Sequence, residues 1–189
     1  LLVEDGLIKA VGDYAAVAAQ KSADTPETDH RPHLILPGFI DTHIHFPQSQ
    51  VVASYAAELL DWLNDYTFIE EQKYADEQFG EHIAERFIDE LLRHGTTTVV
   101  AYGSVHPQSV DAFFRASERL NMRNIAGKVM MDRNAPAALC DTAQSSYDDS
   151  KALIARWRGK GRLDYAITPR FAITSTPAQL AAAQALVRE

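Results

Sequence analysis

Apolar and polar positions alternate in distinct blocks along the chain, and each block predicts an element. Between Leu1 and Val11, short apolar runs flank Asp5-Gly6, a turn pair that predicts a small antiparallel hairpin. Residues 20–32 are polar and irregular and read as a loop. "LILPGFID" then forms a continuous apolar run, the pattern of a strand buried on both faces. After it, helix and strand signals alternate. "GEHIAERFIDELLRHG" sets Ile83, Phe87, Ile88, Leu91 and Leu92 on one helical stripe, with Gly95 at the expected C-cap. "TTTVVAYG" is a β-branched strand. "SVDAFFRASERL" carries Val110, Phe113, Phe114 and Leu120 on one face, before the apolar run "IAGKVMMD". "YDDSKALIARWRGK" presents Leu153, Ile154 and Trp157, and "LDYAITPRFAIT" reads as a further strand. Thr176 and Gln179 predict a capping box around Pro177 at the first turn of a last helix.

Four βα units in this order require a parallel sheet with helices packed outside it. A doubly wound dinucleotide-binding sheet would carry a glycine-rich turn after its first strand, and "DTHIHFPQ" has none. The alternative is a TIM-type (β/α)8 barrel, which needs about 250 residues, so that four units make half of one. The expected organisation is part of an accessory β-domain over residues 1–33 and the first half of a barrel over residues 34–189. The first residue is not methionine and the last ones, "AQALVRE", read as helix, so both ends are expected to be cut.

Composition narrows the class. With 46% hydrophobic and 23% charged residues the chain reads as soluble and globular, and a formal charge of −8 offers no basic field for nucleic acid. The single cysteine, Cys140, excludes an intrachain disulfide and a paired-cysteine zinc site, and fits a cytoplasmic setting. It also excludes the zinc-deaminase design built on HxE and PCxxC. No apolar run approaches the roughly 20 residues needed to span a membrane.

The candidate chemistry lies in "FIDTHIHFPQ", residues 39–48. On a strand, residues two apart share a face, which would turn Asp41, His43 and His45 one way at the C-terminal end of the first parallel strand. Two neutral imidazoles there suit zinc or iron(II). Asp41, set deeper, is expected to hydrogen-bond backbone or orient the pocket floor. His94 is expected to cap helix carbonyls, and His106 either lines the pocket or packs. His30, His33 and His82 read as loop or solvated positions, and Trp62 and Tyr66 as packing aromatics or a lid.

"LPGFIDTHIHFPQ" resembles the metal-binding signature of the amidohydrolase superfamily, and "VEDGLIKAVG" resembles strands of its accessory β-domain. "LLDWLNDYTF", "HGTTTVVAYGSVH", "GKVMMD" and "TPRFAIT" are similar to stretches of the guanine deaminases within that superfamily. The resemblance implies one zinc, with iron(II) as an option, held by His43 and His45 together with two histidines and an aspartate on later strands. It implies a proton-shuttling glutamate in an HxxE segment downstream of Glu189. No catalytic acid or base is therefore expected among these 189 residues, and alone they should be inactive. Gln48 would approach a ring edge of guanine, Arg170 donate to its O6, and Phe171 pack on the purine face. A homodimer is implied for the complete enzyme. Two rival readings stand beside this one: an amidohydrolase acting on cytosine, a triazine or an adenosine derivative, and a non-catalytic half-barrel.

Overall fold

Strands Leu2–Glu4 (β1) and Leu7–Ala10 (β2) pair antiparallel across Asp5-Gly6, both of which have positive φ (52° and 76°). That is the backbone of a tight hairpin turn whose twist matches the strands. The computed structural model describes all 189 residues, and this hairpin belongs to the first of two units, Leu1–Pro37; the second is Gly38–Glu189. A short helix, Tyr14–Ala18 (α1), completes the regular structure of the first unit and buries only Val17.

The second unit is built on parallel strands. Phe39–His45 (β3), Thr96–Tyr102 (β4), Arg123–Gly127 (β5) and Asp164–Tyr165 (β7) form a sheet in the order β3-β4-β5-β7. Val129–Met130 (β6) pairs in parallel with Thr168–Pro169 (β8). Between the strands run Leu59–Trp62 (α2), a π-helical turn at Leu63–Thr67, Phe68–Gln72 (α3), Glu77–Arg93 (α4), Pro107–Arg119 (α5), Ala143–Trp157 (α6) and finally Pro177–Arg188 (α7). The four βα units expected from the pattern are present, and the α/β class with them. No helix is long and apolar enough to cross a membrane.

One core lies between sheet and helices: Ile83, Phe87, Ile88 and Leu91 of α4 and Val110, Phe113 and Phe114 of α5 meet Val99, Ala101 and Ala126 of the strands. A second, smaller cluster joins Leu63, Phe68, Val105, Val129, Met131 and Leu139, with Trp62, Tyr102 and Phe171 packed against it. The helical stripes are thus the predicted ones except at their ends, where Leu92 and Leu120 are exposed. His94 caps α4 as expected, its Nδ1 lying 2.8 Å from the Glu90 carbonyl, and Gly95 follows at φ +82°.

Three expectations are corrected. The "LILPGFID" run is not a strand buried on both faces: β3 starts at Phe39, and Leu34, Ile35, Leu36, Phe39 and Ile40 are exposed. Pro37 has no N–H to give a ladder, and β3 has a neighbour, β4, on one side only. The third and fourth strands are each broken in two. At Lys128 the chain turns its fully buried ammonium onto Asp141, and its backbone N–H donates to the Tyr165 hydroxyl (3.1 Å) instead of to a neighbouring strand. The capping box on α7 is half made: Thr176 accepts from the Gln179 N–H (3.2 Å), but the Gln179 side chain is buried and bonds Ser146. The complete box is at Thr142 and Ser145, which cap α6 reciprocally.

Gly127 holds the breaks together. A Cβ at this position would overlap the Ala166 carbonyl oxygen and the Thr168 hydroxyl, so β5 can approach the fourth strand only without a side chain. Gly127→Ala is expected to destabilise the protein by about 3 kcal/mol, the upper end of overpacking costs. Urea unfolding reads this directly, and an unchanged midpoint would mean that the strands part at no cost.

Candidate active site at the C-terminal ends of the strands

The imidazole pair sits where β3 ends. A register shift between Asp41 and Ile44 marks a bulge, with Asp41 opposite Val99, Ile44 opposite Ala101 and His45 opposite Tyr102. The extra residue breaks the two-residue alternation, so Asp41, His43 and His45 do not share a face by count alone. Asp41 instead accepts from the backbone N–H of His43 (2.9 Å), a hydrogen bond that shapes the bulge. The two rings still meet, with centroids 5.3 Å apart, and Tyr102 stacks on His45 at 4.3 Å and lies 5.1 Å from His43.

The two imidazoles differ in environment. His43 is exposed and His45 half-buried. Burial first, then the positive charge of Arg170 and the neighbouring His43, pull the His45 pKa down to about 4. It is therefore neutral at pH 7, the form that ligates metal. Its Nδ1 is buried with no hydrogen-bond partner, an unusual state for a ring nitrogen that a bound cation would relieve. Two imidazole nitrogens are donor chemistry that fits zinc or iron(II), and no third His, Cys, Asp or Glu converges on the pair.

Gln48 and Arg170 come together through a residue that the sequence pattern does not single out. Gln48 closes the short 3-10 turn Phe46–Gln48 directly after β3, and Arg170 follows β8. Glu71 of α3 lies between them, fully buried, with Oε1 accepting from Gln48 Nε2 (3.1 Å) and Oε2 from Arg170 Nη1 (2.6 Å). The Arg170 side chain is only 5% exposed and its guanidinium carbon lies 5.5 Å from the Phe68 ring centroid, so it is no solvated surface arginine. Phe171, half-buried, leans on the second apolar cluster beside Trp62 and Tyr102.

A signal for Glu71 exists in hindsight. Leu63, Thr67, Phe68 and Tyr74 are buried on the turns around it, so this glutamate falls on the inward stripe of its segment, where a carboxylate must find partners. The π-helical turn at Leu63–Thr67, a feature frequent at functional sites, is where that stripe is adjusted. His106 stands before α5 with its Nε2 buried and unpartnered; burial, then Lys128, lowers its pKa. A recess of about 1240 Å³ lies elsewhere, along α4 between Ile44, Phe79, His82 and Arg86, and includes none of the five residues expected to bind metal or base.

Known proteins resemble this chain. Residues 34–189 match the amidohydrolase family. Over its whole length the chain is 53% identical to the guanine deaminase of Escherichia coli K12 and covers 43% of it; the solved structure of the E. coli enzyme superposes with a TM-score of 0.96, covering 100% of this chain and 44% of that one. A guanine deaminase from C. acetobutylicum, solved with guanine in its active site, is 30% identical with a TM-score of 0.78 over 80% of this chain and 37% of its own. A triazine hydrolase from Arthrobacter aurescens, 18% identical with a TM-score of 0.71, covering 81% of this chain and 38% of its own, shares the fold alone. The chain spans less than half the length of each of these relatives.

Proposed function

The chain belongs to the amidohydrolase family, its four βα units being those of a TIM-type barrel, and we propose that it forms part of a guanine deaminase, an enzyme that hydrolyses guanine to xanthine and ammonia. The observation that carries this reading is the Gln48–Glu71–Arg170 network beside the His43–His45 pair. A heterocycle presenting an exocyclic carbonyl oxygen calls for a cationic donor, and Arg170, held by Glu71, offers one; a triazine pocket has no such need. The 53% identity to a guanine deaminase and the guanine-bound relative support the same choice.

His43 and His45 would hold the metal. When bound, zinc supplies a nucleophile at neutral pH by lowering the pKa of water to about 7. The protein side of the reaction is positioning. Arg170 donates to O6 and withdraws charge from the ring, which makes C2 more open to attack. Gln48 meets an adjacent ring edge, and Phe171 packs on the purine face and keeps water from it. Two further histidines, an aspartate and a proton-shuttling glutamate complete the site in the whole protein, which we read as a cytoplasmic homodimer acting in purine catabolism. Residues 1–33 contribute to the accessory β-domain.

The test is direct. The whole protein, loaded with zinc, is expected to release ammonia and xanthine from guanine, with cytosine, adenosine and a chlorotriazine turned over at least a hundredfold more slowly, the scale on which buried polar readers discriminate. Turnover of any of these in preference to guanine would replace the assignment with that substrate.

A further inference from the structure

Glu71 is a fully buried carboxylate in α3, and its two oxygens are divided between residues 23 positions before it and 99 after it in the chain. We propose that Glu71 is a positioning residue that sets the donor and acceptor polarity of Gln48 and Arg170, and thereby the edge of a purine that the site accepts. The proposal rests on the reading of those two residues as base contacts.

Hydrogen-bonding capacity fixes how the two side chains are turned. An ionised carboxylate only accepts. Gln48 must therefore turn its amide nitrogen to Glu71 (Nε2 to Oε1, 3.1 Å), which points its carbonyl oxygen the other way. An isolated glutamine has no such preference and flips freely between two nearly isosteric orientations. Arg170 gives Nη1 to the other oxygen (2.6 Å), which leaves its remaining N–H groups as donors. One carboxylate thus fixes an acceptor next to a set of donors. The complement is a ring carbonyl beside a ring N–H, the O6 and N1–H edge of a 6-oxopurine.

Phe68, on the same helix, faces the Arg170 guanidinium at 5.5 Å, so α3 holds the arginine both by its charge and by its flat face. The arrangement is rigid for a further reason: the Arg170 side chain is 5% exposed and Glu71 not at all, and an ion pair this dry loses much if either partner moves. Glu71 has no exposed oxygen with which to meet substrate itself. Its effect must pass through Gln48 and Arg170.

The experiment compares Glu71→Gln, Arg170→Met, the double variant and Glu71→Asp in the zinc-loaded whole enzyme, with zinc content and Tm measured for each. Glu71→Gln is expected to raise KM for guanine roughly tenfold or more, the scale of a lost charge-assisted contact, at unchanged zinc content. The double variant should be worse than Arg170→Met by less than the full Glu71→Gln factor, because the share that passes through Arg170 is already lost and only the share through Gln48 remains, and Glu71→Asp should recover part of the loss. A merely structural role would lower the active fraction and hence kcat with KM unmoved, and that result overturns the proposal. So does a loss in Glu71→Gln that multiplies with that of Arg170→Met. An impaired Arg170→Met beside a silent Glu71→Gln overturns the role of Glu71 and leaves the base reading standing, whereas a silent Arg170→Met removes both. Should Glu71→Gln not fold, Glu71→Asp decides: a raised KM supports the proposal and an unchanged one overturns it.

Discussion

Replacing both His43 and His45 with alanine in the whole enzyme is expected to abolish zinc retention and to lower guanine turnover on the order of a thousandfold or more. The metal's share of transition-state stabilisation is several kcal/mol, and each 1.4 kcal/mol or so is a factor of ten in rate. The motivation is local: two rings with centroids 5.3 Å apart, one of them kept neutral by burial and by Arg170, with a buried Nδ1 that no protein group satisfies. Elemental analysis of the purified variant against the parent reads the metal, and the deamination assay reads the rate. Unchanged metal content would show that the pair packs without ligating. Circular dichroism of the variant checks that the fold survives both substitutions.

Arg170→Met carries the second large effect, and the structure changes what it should look like. Loss of the hydrogen bond to O6 predicts a drop in kcat/KM of roughly 10- to 150-fold, from about 1.5 to 3 kcal/mol for a bond to a charged group. The ion pair to Glu71 adds a cost in stability. Removing one partner of a buried pair leaves the other charge uncompensated, typically about 3 to 5 kcal/mol. Arg170→Met should therefore lower Tm as well as activity, and the assay belongs well below the transition. Exchanging both members for apolar residues, Arg170→Met with Glu71→Leu, should restore much of the stability but none of the guanine turnover. If Arg170→Met alone keeps guanine turnover within about twofold while folded, the arginine does not read the base.

The two effects separate cleanly because the residues lie in different kinds of structure. His43 and His45 lie at the bulged end of β3 and carry no ion pair or side-chain hydrogen bond, so function dominates there. Arg170 follows a two-residue strand and is tied into α3 across 99 positions of sequence, so function and stability are coupled.

Periodicity by itself determined the βα order, the inward stripes of α4, α5 and α6, and the Asp5-Gly6 hairpin, because these follow from which residues can be buried on a helix or turned at a tight corner. The HxH spacing likewise marked the imidazole pair, since neighbours two apart on a strand stay close even where a bulge spoils their common face. Only the tertiary structure decided the rest. The breaks in the third and fourth strands come from Lys128 turning into the protein toward Asp141, a contact 13 residues away, and from the closeness of Gly127 to Ala166. The exposure of "LILPGFID" depends on what packs beside it, which an apolar run does not state. Glu71 is the plainest case: within "FIEEQ" two glutamates are chemically alike, and one becomes the buried partner of Arg170 only because the fold brings together two residues 99 positions apart.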